Sequence, residues 1–111
     1  MLTDDKYVGW IISEGELPVA SAGLMMLDWA PHYLDPAGEQ RGYVLNVFVE
    51  PEYRRRGLAQ ALMSECMDEA RRRGIRVVAL HASRKGQPVY EKLGFTTSNE
   101  MLHVDKTLNK P

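Results

Sequence analysis

Between Tyr43 and His81 the hydropathy pattern changes period twice, and this constrains the fold more than any other feature of the chain. Tyr43 to Val49 is a dense, β-branched, nearly uncharged run. It predicts a central strand, buried on both faces apart from Asn46. Pro51 ends that strand. From about Gly57 to Arg73, Leu58, Leu62, Cys66 and Ala70 recur at four-residue steps, widened by Ala61 and Met63. That spacing is the inward stripe of an amphipathic helix. Arg71, Arg72 and Arg73 fall in its last turn, where positive charge suits the helix dipole, and Gly74 is a natural stop. Ile75 to His81 is a second buried strand. A strand–helix–strand unit of this length predicts parallel strands joined by a right-handed crossover.

The flanking segments add strands of the other orientation. Tyr7 to Ile12 and Val19 to Leu27 are apolar runs separated by Ser13-Glu14-Gly15-Glu16 and Pro18. They read as an antiparallel hairpin, with Met25 and Met26 as strand core. Asp28 to Gly42 is a long loop carrying Trp29 and Tyr33, aromatic residues placed where contact with a substrate or partner is expected. Gln87 to Leu93 is a short helix, with Pro88 in its first turn and Gly94 as its stop. Phe95 to Leu108 predicts one or two further strands around a Ser98-Asn99 turn. The whole is a mixed α/β sheet protein. Its 111 residues suit a single domain, 1–111, without repeats or linkers.

Composition excludes several function classes. The 14 basic and 15 acidic residues nearly cancel, which argues against a nonspecific nucleic-acid binder. One cysteine excludes an internal disulfide framework and a cysteine-based zinc site. Cys66 lies on the helix's apolar stripe and reads as a small buried hydrophobe. His32, His81 and His103 stand far apart without companions at ligand spacing, so no metal is expected. The apolar stretch Leu17–Leu27 is too short to span a bilayer, and Met1–Lys6 is unlike a secretory leader. The expected compartment is the reducing cytoplasm.

The chemistry concentrates in Val47-Phe48-Val49-Glu50-Pro51-Glu52-Tyr53-Arg54-Arg55-Arg56-Gly57-Leu58-Ala59. A strand runs into a basic, glycine-bearing turn and then a helix N-terminus. Free amides of a first helical turn attract anions, and Gly57 permits close backbone approach. Arginine matches phosphate geometry with a fork of donors. These physical grounds leave two readings level, a phosphate seat or a solvated basic turn that merely starts a helix. The glycine spacings of dinucleotide folds and of nucleotide-triphosphate loops are both absent.

Arg54-x-x-Gly57-x-Ala59 after this strand resembles the acetyl-CoA signature of the GNAT superfamily of N-acetyltransferases. Pro88-Val89-Tyr90-Glu91-Lys92-Leu93-Gly94-Phe95 closely resembles that family's last short helix. The two motifs stand in the family order, and the resemblance spans roughly Tyr7 to Asp105. It implies a GNAT-like acyl-CoA N-acyltransferase fold and transfer of an acetyl group from acetyl-CoA to an amine. The pantetheine arm would run along Val47, Phe48 and Val49 like an added strand. The pyrophosphate would lie on the amides of Arg55, Arg56, Gly57, Leu58 and Ala59, beside Arg54. Ser83 would stand near the coenzyme, and Arg84 or Lys85 could reach a coenzyme phosphate.

The implied reaction is direct attack of a neutral amine on the thioester. A main-chain N–H on the Val47 strand would meet the oxyanion. Tyr90 would give the departing thiolate a proton, a step open to a phenol of pKa about 10 facing a thiol near 8.5. The alternative for Tyr90 is a buried structural tyrosine. Glu39, Glu50, Asp28 and His32 are all candidates for deprotonating the ammonium. A family domain ordinarily begins with a strand and two helices before the Tyr7 strand, whereas six residues precede it here. The chain is thus a fragment, starts at an internal methionine, or is short by nature. An uncovered sheet edge and face are expected, hidden by homodimer or higher homo-oligomer formation. The rival function is a truncated domain that binds acetyl-CoA or a protein partner without turnover.

Overall fold

The structure, a computed structural model, describes residues 2–3, 6–29, 40–98 and 100–108. The chain divides into two compact units, Met1–His81 and Ala82–Pro111.

The first unit is a five-stranded sheet in the order β1 (Leu2–Thr3), β2 (Tyr7–Glu14), β3 (Leu17–Asp28), β4 (Gln40–Val49) and β5 (Val78–Ala79). The first three junctions are antiparallel, and β4 with β5 is parallel. The β2–β3 hairpin turns at Gly15, whose φ of 62° is the left-handed region that glycine enters without a Cβ penalty. The long helix α1 (Leu58–Arg72) connects β4 to β5 and packs on β3 and β4. Strand alternation sorts the sheet into two faces. One carries Val8, Ala20, Ala22, Leu24, Met26 and Val44, all buried. From the helix, Leu62, Met63, Cys66 and Ala70 are buried, joined by Ile75 just beyond it. Ala61 is exposed, so the helical stripe is narrower than the spacing predicts.

The opposite face is thinner. Tyr7 lies over the directly paired Gly9 and Gly23, where a Cβ on Gly23 would sit 2.3 Å from the Tyr7 hydroxyl. Two glycines facing each other across β2 and β3 thereby make the slot that the tyrosine ring fills. Met25 of this face is half-buried, Ile11 is 57% exposed and Phe48 is 49% exposed. The expectation that Tyr43–Val49 is buried on both faces is corrected here. Helix α1 packs on β4, whereas Phe48 on the other face stays 49% exposed.

Helix α1 ends in a Schellman motif. The Gly74 N–H donates to the Arg71 carbonyl and the Ile75 N–H to the Ala70 carbonyl, with Gly74 at φ 72° and Ile75 buried. The three arginines of its end are a solvated, paired cluster. Arg71 meets Asp68 at 3.0 Å, and Arg72 and Arg73 meet Glu69 at 2.7 and 2.8 Å. The hydrogen bonds from Arg73 and Arg72 hold the Glu69 carboxyl below its ordinary pKa. The Cys66 thiol is pushed up to about 11 by burial, as befits an inert core residue.

The second unit holds α2 (Gln87–Lys92). Pro88 lies in its first turn and Gly94, at φ 96°, follows its end. Two strand expectations are corrected. Ile75–His81 contributes only Val78–Ala79 to the sheet, and no strand forms among the described residues 95–98 and 100–108. Met101, Leu102, Val104 and Leu108 are exposed. Their β-like composition is real, but a strand requires a partner edge for its backbone groups.

Candidate functional site

The site begins with a change of register in β4. On β3, Gly23 pairs with Leu45 and Ser21 with Phe48, so three steps along β4 answer two along β3. The extra residue makes a β-bulge, and Asn46 takes it up with φ 57°. Asparagine is one of the few side chains that enters this region readily. The Ser21 hydroxyl donates to the Asn46 carbonyl at 3.2 Å and anchors the bulge.

The bulge decides which main-chain groups of β4 face outward. Before it, the Gly42 N–H donates to Val77 on the β5 side at 2.9 Å. After it, the Glu50 N–H donates to Val19 on the β3 side at 2.8 Å. Counting back from Glu50 with a period of two, Val49 and Val47 turn their main-chain groups away from β3. The β4–β5 ladder pairs only Gly42 with Val78 and Tyr43 with Ala79. Beyond Tyr43, the outward edge of β4 has no strand beside it among the described residues. The Val49 carbonyl accepts from Arg54 Nε at 3.2 Å, which leaves Val47 as the open rung. The Val47 and Val49 side chains are half-buried, and Phe48 points to the thin face of the sheet.

That edge leads into the helix start. A 3-10 turn over Pro51–Tyr53 reverses the chain, closed by the Tyr53 N–H donating to the Glu50 carbonyl at 2.8 Å. Arg55 at φ 65° and Gly57 at φ 78° then set the backbone for α1. No side chain caps the helix, and the Ala61 N–H is already bonded to the Gly57 carbonyl at 3.0 Å. The Leu58, Ala59 and Gln60 amides therefore precede the first intrahelical bond. A Cβ on Gly57 would meet nothing within 4 Å, so the space over the turn is open. Arg54, Arg55, Arg56 and Gly57 are exposed; Leu58 and Ala59 are half-buried. Arg54 is held toward the β4 edge by its bond to Val49. Arg56 stacks 4.8 Å from the Tyr53 ring centre. Tyr53 in turn hydrogen-bonds Glu14, which with burial raises its phenol pKa. The turn is thus tied to the β2–β3 hairpin while its arginines stay in solvent.

The second motif is built separately. The Gly94 N–H donates to the Glu91 carbonyl and the Phe95 N–H to the Tyr90 carbonyl, at 3.1 Å each. This is a second Schellman motif, with Tyr90 and Phe95 as its hydrophobic pair. Their rings meet edge to face at 6.0 Å. The Tyr-Glu-Lys-Leu-Gly-Phe sequence therefore has a local purpose, which is to hold the half-buried Tyr90 ring on a helix stopped by glycine. Ser83 closes the turn that precedes this helix. Its Oγ accepts from the Gly86 N–H at 3.0 Å and its carbonyl from the Gln87 N–H at 2.9 Å. Arg84 and Lys85 are exposed.

The candidate proton acceptors separate. Asp28 is paired with Lys6 at 2.7 Å and accepts from Gln40 at 3.4 Å. The Lys6 hydrogen bond is the main cause that lowers its carboxyl pKa. Glu50 is half-buried at the end of β4. Glu39, His32 and Tyr33 lie outside the described residues. Trp29 is exposed, with the Arg41 guanidinium 4.4 Å from its ring. Sequence reasoning passed over one pair, in which Tyr43 Oη and His81 Nδ1 are hydrogen-bonded and the rings lie 5.5 Å apart. These residues are 38 positions apart, and no periodicity relates them.

Comparison with known proteins identifies the family of the chain. Residues 1–95 match the acetyltransferase (GNAT) family. The chain is 36% identical over 87 residues to a glucosamine 6-phosphate N-acetyltransferase of Trypanosoma brucei brucei, covering 78% of this chain and 56% of that protein. A GCN5-related N-acetyltransferase from Ralstonia eutropha superposes with a TM-score of 0.86 at 42% identity, over 90% of this chain and 65% of that one. A predicted acetyltransferase from Clostridium acetobutylicum, solved with acetyl-CoA, gives 0.83 at 34% identity, over 91% and 65%. The chain spans less than two thirds of the length of these relatives. The bulged strand, the open rung at Val47 and the uncapped helix start after Arg54-x-x-Gly57-x-Ala59 accordingly lie within a matched region that fills most of the chain, and the chain belongs to the GNAT family of acetyltransferases.

Proposed function

We propose that the protein is an acetyl-CoA-dependent N-acetyltransferase. The observation that carries this reading is the continuous path from the open rung of β4 to the uncapped start of α1. An extended amide-bearing arm can pair with Val47 as an added strand would. The path ends where three exposed arginines surround amides that have no helical partner, a seat suited to a pyrophosphate.

In this reading the Leu58 and Ala59 amides, with Gly57 and the Arg55–Arg56 backbone, hold the pyrophosphate. Arg54 steadies the β4 edge and adds charge. The Val47 N–H donates to the thioester oxygen as negative charge develops there. Tyr90 supplies the proton to the departing sulfur. Ser83 orders the turn before α2, and its hydroxyl hydrogen remains available to the coenzyme. Acetyl-CoA itself supplies the activated acyl carbon.

Calorimetry with acetyl-CoA tests the binding half, and release of free thiol in the presence of an amine tests the transfer half. The name of the Trypanosoma relative makes glucosamine 6-phosphate the first acceptor to try. Saturable binding with transfer is expected. Binding without transfer to any amine would leave a coenzyme-binding module, and no binding would remove the site.

The proposal extends to a cytoplasmic homo-oligomer that acts on a small amine without nucleic acid or membrane. Ile11 and Phe48 expose apolar surface on the same face of the sheet. Such a face is ordinarily covered by association. Light scattering is expected to give a mass of at least twice 12.6 kDa. A soluble monomer at high concentration would defeat this part.

A further inference from the structure

Acetyl transfer to an amine requires a proton acceptor, because an alkylamine is an ammonium ion near neutral pH and cannot attack. We infer that the Tyr43–His81 pair fills this role, with His81 taking the proton and Tyr43 holding the imidazole; the inference rests on the acetyl-transfer reading above.

The first argument is position. Tyr43 stands at the last rung of the β4–β5 ladder, paired with Ala79, and His81 lies two residues farther along the same segment. The Tyr43–His81 hydrogen bond therefore crosses between the two segments just where their pairing stops. The open edge of β4 starts at the next residue. Val47 follows Tyr43 by four positions, at most about 13 Å along a strand. Both side chains therefore sit at the end of the ladder from which the open edge runs on toward Val47.

The second argument is chemistry. Imidazole is the side chain whose protonation changes near neutral pH. His81 is exposed, so a proton taken from substrate can pass to bulk water after each turnover. The alternatives are poorer. Asp28 is committed to Lys6 and Gln40, and those hydrogen bonds favour its ionised form. Glu50 stands at the far end of β4 from the ladder.

The charged surroundings of His81 are defined on its neighbouring strands. From β4, Tyr43 faces it, and Arg41, two residues earlier, lies over Trp29. From β3, Met25, opposite Tyr43, carries no charge. Along its own segment the next charged residues are Arg84 and Lys85.

The step balances without further reagents. One N–H bond of the substrate ammonium breaks, and its electron pair stays on the amine nitrogen. The proton forms an N–H bond on the imidazole. The resulting imidazolium donates its Nδ1–H to the Tyr43 oxygen, which stabilises it. The freed pair attacks the thioester carbonyl and forms the C–N bond. The C–S bond breaks, and its electron pair leaves with the sulfur. The thiolate takes its proton from Tyr90, and the second N–H proton of the new amide passes through water to the phenolate left on Tyr90.

Tyr43 and His81 could instead merely pin the end of β5, so the test must separate proton transfer from structure. His81→Asn keeps a polar group for Tyr43 and removes the proton site. Both His81→Asn and Tyr43→Phe are made in the full chain. Glucosamine 6-phosphate, benzylamine and aniline serve as acceptors, and acetyl-CoA affinity is the check on fold. His81→Asn is expected to lower transfer to the two alkylamines by ~10²-fold or more near neutral pH. The loss should shrink at alkaline pH, where these amines deprotonate unaided. Aniline is already neutral, so its rate should change only a few-fold. Tyr43→Phe is expected to lower transfer to the two alkylamines more than transfer to aniline, because the imidazole loses the hydroxyl that holds it. Equal losses for alkylamines and aniline, or none, with an active wild type would overturn this assignment alone. A wild type that binds acetyl-CoA and acetylates none of the three would overturn the assignment together with the reading beneath it.

Discussion

Tyr90→Phe is expected to lower acetyl transfer by ~10²–10⁴-fold, the usual contribution of a positioned acid. The ring of Tyr90 packs edge-on against Phe95 at 6.0 Å, and its carbonyl closes the Schellman motif through the Phe95 N–H at 3.1 Å. Phenylalanine keeps both contacts, because neither involves the hydroxyl. The fold and the acetyl-CoA affinity should therefore stay close to wild type. Water can partly replace the phenol, since thiolate is a tolerable leaving group, so the lower end of the range is expected. Steady-state rates under conditions where chemistry limits turnover are the measurement. An unchanged rate in an active enzyme would remove Tyr90 from the mechanism.

Gly57→Asp is expected to weaken acetyl-CoA binding by roughly 10²-fold, a change of about 2.7 kcal/mol. Gly57 has φ 78°, which costs most side chains roughly 1–2 kcal/mol but which aspartate enters more easily than most. Its Cβ would meet nothing within 4 Å, so no steric unfolding follows. The carboxylate would enter the open space over the first helical turn. There it competes for the Ala59 and Gln60 amides and repels the pyrophosphate. Titration calorimetry of wild type and mutant compares the affinities, and thermal melts without ligand should show a mutant that still unfolds cooperatively, lowered by only a few degrees. Equal affinities would show that the pyrophosphate sits elsewhere.

Both predictions concern residues that the sequence already singled out, and the reason is locality. Gly57, Gly74 and Gly94 mark positions where a helix begins or ends in the left-handed region, and glycine at such places is readable from a few neighbours. The Leu62, Cys66 and Ala70 stripe is legible because a helix imposes its period on burial. The β2–β3 hairpin is legible because its turn chemistry lies between two apolar runs.

The misreadings are equally instructive. Phe95–Leu108 has the composition of strands, yet none forms among its described residues, because strand formation depends on an edge elsewhere in the molecule. Tyr43–Val49 has the composition of a fully buried strand. Composition does not reveal that one face of β4 meets α1 while Phe48 on the other stays half exposed.

By itself the sequence determined the order of elements from β2 to α2, the stops of both helices, the basic glycine turn and the tyrosine helix. These follow from interactions within a few residues, where propensity and backbone sterics decide. Tertiary structure alone decided three further matters. The slot over Gly9 and Gly23 exists only because register pairs them beneath Tyr7. The open rung at Val47 exists because the Asn46 bulge reverses which main-chain groups face outward. Tyr43 and His81 meet because parallel pairing of β4 with β5 brings together residues 38 positions apart. Register and strand pairing are properties of two segments at once, and neither segment's sequence carries them alone.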